Sequence, residues 1–505
     1  MADDNSNIKD ETLDNKELIQ KPNDNKIEEK LEKTRKYSIK EGSYASISGG
    51  VGENYVTPFA LSLGANSAHI GFLTSFAGLF GPISQIIGSR LIEKYDRKKL
   101  IIFFVALQSL SWLLFVLAGV FFLNKYSPEF VVPFLILSYI IYVIFGSLAA
   151  PPWFSMMGDI VPNKIRGDYF SKRNRINGAI SLIVTLGAAF WLDYTKREDI
   201  IIIGFILLFI IASISRFIST YYFTKHYIPI IKLEKDYYFS PLEFIKKAPY
   251  NNFGRFAIFM ALINLSVNIA GPFFAVYMLK ELQFNYVWFT VINMSAGLFA
   301  VIFIHLWGKF SDKYGNREVL RLSGLLIPIL PILWIFSPNP YYLIFIPQLL
   351  SGIAWAGFNL AASNYIYDAV TVQRRAIVVS YYSLLNGIGV FTGAILGGLV
   401  AYYVHLSFIN IFLFIFIISG ILRGLVFILM FPHIQEVRKE TTPIHRNPLL
   451  YLKEIKPIHD VLNIRSTPLA GISIFKKKDS LKEEAKINKE MQINKDLQDK
   501  KDNIS

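Results

Sequence analysis

What most constrains this chain is a succession of apolar runs, each of about 20 residues and so long enough to cross about 30 Å of hydrocarbon as a helix. They lie near 43–64, 69–87, 100–122, 131–157, 175–193 and 199–223, then near 255–279, 286–307, 319–337, 341–369, 376–402 and 407–431. The expectation is an all-α polytopic membrane protein with twelve transmembrane helices in two groups of six. Composition agrees. A chain that is 53% hydrophobic and only 18% charged, with mean hydropathy +0.38, carries more apolar surface than a soluble core of ordinary shape can hide.

The formal net charge of +14 does not point to nucleic acid, because Lys and Arg gather in the tails and short loops, as membrane topology requires. Loops after even-numbered runs hold 22 Lys and Arg, whereas those after odd-numbered runs hold only Lys125, Lys196, Arg197 and Lys280. The first set is expected in the cytoplasm, and both termini with it, in a cell-membrane protein. A hydrophilic stretch of about 40 residues precedes the first run, so that run reads as a retained span rather than a signal peptide. Cysteine is absent, which excludes disulfides and thiol chemistry.

Composition also divides the chain. Residues 1–42 read as a disordered cytoplasmic tail with a helical patch near 26–36, and 43–223 as a first six-helix bundle. Residues 224–254 form a cytoplasmic linker, in which Pro241-Leu242-Glu243-Phe244-Ile245-Lys246-Lys247 suits the membrane surface. Residues 255–431 form the second bundle, and 432–505 a hydrophilic cytoplasmic tail.

The two bundles repeat each other. Gly308-Lys309-Phe310-Ser311-Asp312-Lys313-Tyr314-Gly315-Asn316-Arg317 echoes Ser89-Arg90-Leu91-Ile92-Glu93-Lys94-Tyr95-Asp96-Arg97-Lys98 at an offset of 219. Asn54 and Pro58 recur as Asn268 and Pro272 at 214. Asp159, Arg166 and Asn177 recur as Asp368, Arg375 and Asn386 at 209, and Arg216 as Arg423 at 207. Ordered repetition of this kind means a duplicated membrane unit.

The repeated loop resembles the signature of the major facilitator superfamily. The second copy carries it in Gly308, Asp312, Lys313, Gly315 and Arg317. The first copy departs, with Ser89 and Asp96 where glycines are expected and Glu93 for Asp. The resemblance implies two six-helix bundles that rock about a central site lined by helices 1, 4, 7 and 10. It also implies a cytoplasmic gate in which Asp312 and Arg317 meet Asp368 or its helix, and Glu93 and Arg97 meet Asp159; Arg166 and Arg375 extend that charge cluster.

Inside the spans, ionisable groups are costly and need a reason. Glu53, near the middle of the first helix, could bind a coupling proton or cation; it could equally be a structural carboxyl. Asn54, Asn264, Asn268 and Asn359 can hold a polar substrate or bond neighbouring helices. Arg216 and Arg423 either snorkel to the inner surface or bind an anion. Glycines crowd helix 11 and permit close approach. The seven His show no metal spacing, and no phosphate-binding loop is present, so no metal, cofactor or enzymatic activity is expected. The reading is a secondary transporter, expected to act as a monomer in the lipid bilayer. It moves a small molecule, neutral or cationic, by alternating access coupled to a proton. The alternatives are a receptor or scaffold on the same fold, a facilitator, and a carrier of lipid-like substrates.

Overall fold

The structure is a computed structural model, and it describes residues 22–227, 241–370 and 372–437. Among the described residues it is helical throughout, with eleven helices long and apolar enough to cross a bilayer. The first rod, α1 (Pro22–Val51), continues through a 3-10 turn at Glu53–Tyr55 into Val56–Ser62. Then follow α2 (Ser67–Leu91), α3 (Arg97–Leu123), α4 (Pro128–Ile160), α5 (Asn163–Arg197) and α6 (Ile201–Thr224). After the short linker helix Pro241–Lys247 come α7 (Asn252–Ala270, with irregular turns to Glu281), α8 (Tyr286–Tyr314) and α9 (Asn316–Leu326, continued to Ile335). The last three are α10 (Pro340–Ala369), α11 (Val372–Tyr403) and α12 (Ile411–Met430).

The α1 rod begins at Pro22, well before the expected boundary at residue 43. Its first turns are docked rather than solvated. Thr34, Arg35, Ser38 and Glu41 are buried; Arg35 donates to the carbonyl of Ile160 at the end of α4, and Thr34 accepts the N–H of Tyr227 after α6. A hydrophilic run is expected to be solvated, yet here Arg35 satisfies a carbonyl at a helix end that would otherwise be orphaned. Residues 1–21 lie outside the described set.

The two repeated loops turn differently. Gly315 takes φ +88°, ends α8 and starts α9 in a single residue; a Cβ would strain there. Asp96 keeps φ −61° and caps α3 by accepting the N–H of Lys99. Asp is a good N-cap, so the first copy spends the five residues from 92 to 96 where the second needs one.

Helices α1, α5 and α6 pack together, and α4 packs on both α2 and α3; α3 also packs on α6. In the second set α7 packs on α11 and α12, and α10 on α8 and α9. The two sets meet where α2 lies along α11 and α5 crosses α8. Glycine makes the α7–α11 crossing intimate: a Cβ on Gly389, Gly393 or Gly397 would strike the carbonyl oxygens of Ala261, Leu265 and Ile269. These are every fourth residue on both helices, one face against one face.

Candidate functional site

Where the two sets meet, the helices break. Gly52 and the 3-10 turn interrupt α1, Gly271 and Pro272 interrupt α7, and a π-helical segment containing Pro347 interrupts α10. Proline lacks the N–H that would bond the carbonyl four residues back, and irregular backbone at membrane depth persists only where protein or a cavity receives it. These breaks border a cavity of about 450 Å³. Its polar walls come from Asn54, Thr185, Asn293, Gln348, Ser351 and Arg423; Phe274, Phe289, Trp334 and Trp355 supply apolar surface. The volume suits a small organic molecule. Asn54 reaches its place by donating to Thr185 at 3.1 Å.

The cavity draws on α1, α5, α7, α8, α9, α10 and α12, rather than on helices 1, 4, 7 and 10 alone. Of the five asparagine and glutamate candidates, only Asn54 lines it. Asn264 instead joins α7 to α11 through Asn386 at 2.9 Å, and Asn268 bonds back to the carbonyl of Asn264. Asn359 is exposed. Glu53 is exposed in the 3-10 turn and accepts a hydrogen bond from the Tyr142 hydroxyl of α4; no basic side chain among the described residues pairs with it. Thr185, Asn293, Gln348 and Ser351 were missed, because a lone small polar residue in an apolar run carries no spacing signal.

At the loop end, Arg97 and Asp159 pair at 2.5 Å, joining α3 to α4. Ser155 also accepts from Arg97. In the second set it is Asn316 that donates to Asp368, at 2.7 Å, while holding Ser311. Arg317 turns toward the segment after α12, donating to the carbonyl of Ile434 and, through its backbone N–H, to Glu436. That segment falls in the stretch expected to be a hydrophilic tail, but Ile434 is buried and Tyr365 donates to the carbonyl of Gln435. A Cβ on Gly308 would meet open space; the side chains of Arg166 and Arg375 lie outside the described residues.

Neither Arg216 nor Arg423 snorkels. Arg216 bonds Gln108 at 2.9 Å and stands 4.0 Å from Glu41, which is buried and also pairs with Arg173 at 3.1 Å. Arg423 is buried against Ser419 and the carbonyls of Ile327 and Val267.

The end away from the repeated loops is sealed by contacts between the sets. Asp193 of α5 accepts the N–H groups of Tyr286 and Val287 of α8. Lys280 donates to the carbonyl of Ala65, and the hydroxyls of Tyr55 and Thr290 lie 3.1 Å apart.

Comparisons with known proteins agree with this architecture. The profile of the Major Facilitator Superfamily matches residues 46–235 and 256–480. The multi-drug resistance efflux pump PmrA of Streptococcus pneumoniae serotype 4 is 29% identical over 144 residues, 28% of this chain and 35% of that protein. The class B tetracycline resistance protein of Escherichia coli is 34% identical over 110 residues, 22% of this chain and 27% of its own. The chain thus spans about a third of the length of such relatives. A solved POT family peptide transporter superposes with TM-score 0.62 at 11% identity, covering 82% of this chain and 99% of that one. The nucleoside transporter NupG gives 0.58 at 16%, covering 79% and 98%; both likenesses concern the fold.

Proposed function

The chain belongs to the Major Facilitator Superfamily, and from that premise we propose that it is a secondary transporter moving a small solute across the cell membrane by alternating access. The observation that carries the reading is the cavity of about 450 Å³ between the two helix sets, sealed at one end by contacts between them. Such contacts can break and reform as the sets rock, which is how packed interfaces switch. The relatives named as efflux pumps and resistance proteins agree with transport rather than catalysis or a purely receptive role.

The repeated-loop end faces the cytoplasm because it holds the Lys and Arg excess. α1 supplies the twelfth crossing through residues 43–62. The sealed end is then the exterior, and the conformer is closed outward. Arg97–Asp159 and the Asn316–Asp368 contact brace the cytoplasmic ends within each six-helix half, at 43–223 and 255–431, with 224–254 as the link. Glu53 is the coupling acid: an unpaired carboxyl in an interrupted helix, touched by a tyrosine hydroxyl, can take up and release a proton as the site changes sides. A monomer contains the whole pathway.

Purified protein in liposomes, offered sugars, amino acids, organic acids and cationic drugs under an imposed pH gradient, tests the reading. Solute-dependent proton movement that disappears in Glu53→Gln supports proton coupling through this residue. Transport unchanged in Glu53→Gln assigns the carboxyl a structural role, and no transport of any solute counts against the carrier itself.

A further inference from the structure

Arg423 is the one ionisable residue among those lining the cavity. It is 3% exposed and its three hydrogen bonds, of 3.1 to 3.4 Å, all go to neutral acceptors: the Ser419 hydroxyl and the carbonyls of Ile327 and Val267. The Ile327 carbonyl has no helical N–H to accept, because Pro331 stands four residues on. No carboxylate among the described residues pairs with this guanidinium.

The duplication makes the omission informative. In the first half, Arg216 has Gln108 as partner and Glu41 as counter-charge. At the offset of 219 the residue matching Gln108 is Ile327, and at 214 the residue matching Glu41 is Arg255. The second half has kept the arginine and lost the acid. Arg216 does not line the cavity; Arg423 does. A buried charge without a counter-charge is costly unless something supplies one, and guanidinium binds planar oxyanions through paired N–H donors. Gln348, 9% exposed and with no protein hydrogen-bond partner among the described residues, adds an amide to the same wall. Phe274, Phe289, Trp334 and Trp355 give the same cavity an aromatic surface.

We propose that the cavity binds an amphipathic organic anion, with its carboxylate or other oxyanion on Arg423 and its apolar body against Trp334 and Trp355. The proposal rests on the transporter reading only in taking this cavity as the transport site. It reverses the neutral or cationic solute expected from sequence, which weighed Glu53, Asn264, Asn268 and Asn359, all outside the cavity lining.

Detergent-solubilised full-length protein is titrated with 2-naphthoate, 2-naphthamide and 2-naphthylmethylammonium while tryptophan fluorescence is followed. Naphthoate is expected to bind about tenfold tighter than the amide, as a charge-assisted pair with a buried guanidinium allows. Arg423→Gln should remove that preference, read as the ratio of naphthoate to amide affinity. Arg423→Lys, which keeps the charge but not the planar fork, should retain part of it and guards against misfolding of the Gln variant. Equal affinities, a preference for the cation, anion binding indifferent to both variants, or no quenching by any probe overturns the proposal. Naphthoate uptake into proteoliposomes separates the two readings. Arg423-dependent binding without movement of any solute leaves the anion site and removes the carrier, whereas transport of neutral or cationic solutes without anion preference does the opposite.

Discussion

The Asp193 carboxylate at the end of α5 accepts the backbone N–H groups of Tyr286 and Val287, at 2.7 and 3.0 Å, and so caps the first turn of α8 from the other half of the molecule. A helix N-terminus has unsatisfied N–H groups and a partial positive charge, and a carboxylate answers both. Asn285 supplies the local cap by accepting from Trp288, so Asp193 is free to serve as a contact between the halves.

Asp193→Ala leaves two N–H groups without a partner in the sealed state and should weaken it by about 1–2 kcal/mol. Spin-label distances between the Asp193 end of α5 and the Tyr286 end of α8 should then show a larger population of separated pairs than in wild type. An unchanged distance distribution would mean that the cap does not hold this end.

Glu41 is buried between Arg173 and Arg216, and Ser219 also donates to it. Removing the carboxylate takes the counter-charge from the buried Arg173 and the half-buried Arg216, so Glu41→Ala should cost about 3–5 kcal/mol. The loss should be visible as a large drop in thermal stability in detergent. Lys33→Ala, which breaks an exposed pair with Glu29, should leave it unchanged.

Gly393 tests the glycine seam. A methyl group there would strike the Leu265 carbonyl, whereas nothing lies within 4 Å of a Cβ on Gly297. Gly393→Ala should therefore lower the yield of folded protein and force α7 from α11, and Gly297→Ala should be tolerated. Similar yields from both would contradict the seam.

His226 follows α6 and is 2% exposed, with its Nε2 lacking a partner. Burial pushes its pKa down to about 4. The unfolded chain binds the proton near the ordinary value of about 6.5, so its contribution is fully present above pH 6.5 and is lost as pH falls toward 4. The loss is about 3 kcal/mol over that window. The proton-linked fall in stability between pH 6.5 and 4 should be shallower in His226→Phe. An imidazole signal in wild type that titrates near 6.5 would refute the burial argument.

The sequence revealed the spans and the duplication because apolar runs of membrane length and repeated charged loops are periodic, local signals. It showed Arg97 and Asp159 as candidates through that repetition, and the structure brings them together. It could not show the cavity. Gln348 and Asn293 reach it through helix breaks and helix rotation, which depend on packing rather than on residue type. Glu41 and Arg173 looked like solvated charges because composition cannot tell a paired buried charge from an exposed one. Asp193 lay at the edge of an expected span, where a lone acid reads as a loop residue.

The most direct test of alternating access uses the absence of cysteine in the chain. Ser351→Cys places a single thiol on the cavity wall. Its reaction with a small membrane-impermeant methanethiosulfonate is followed in oriented vesicles, from one face and then the other. Alternating access predicts labelling from both faces, slower from the sealed side and accelerated there by Asp193→Ala. Labelling from one face only, in both backgrounds, would contradict it.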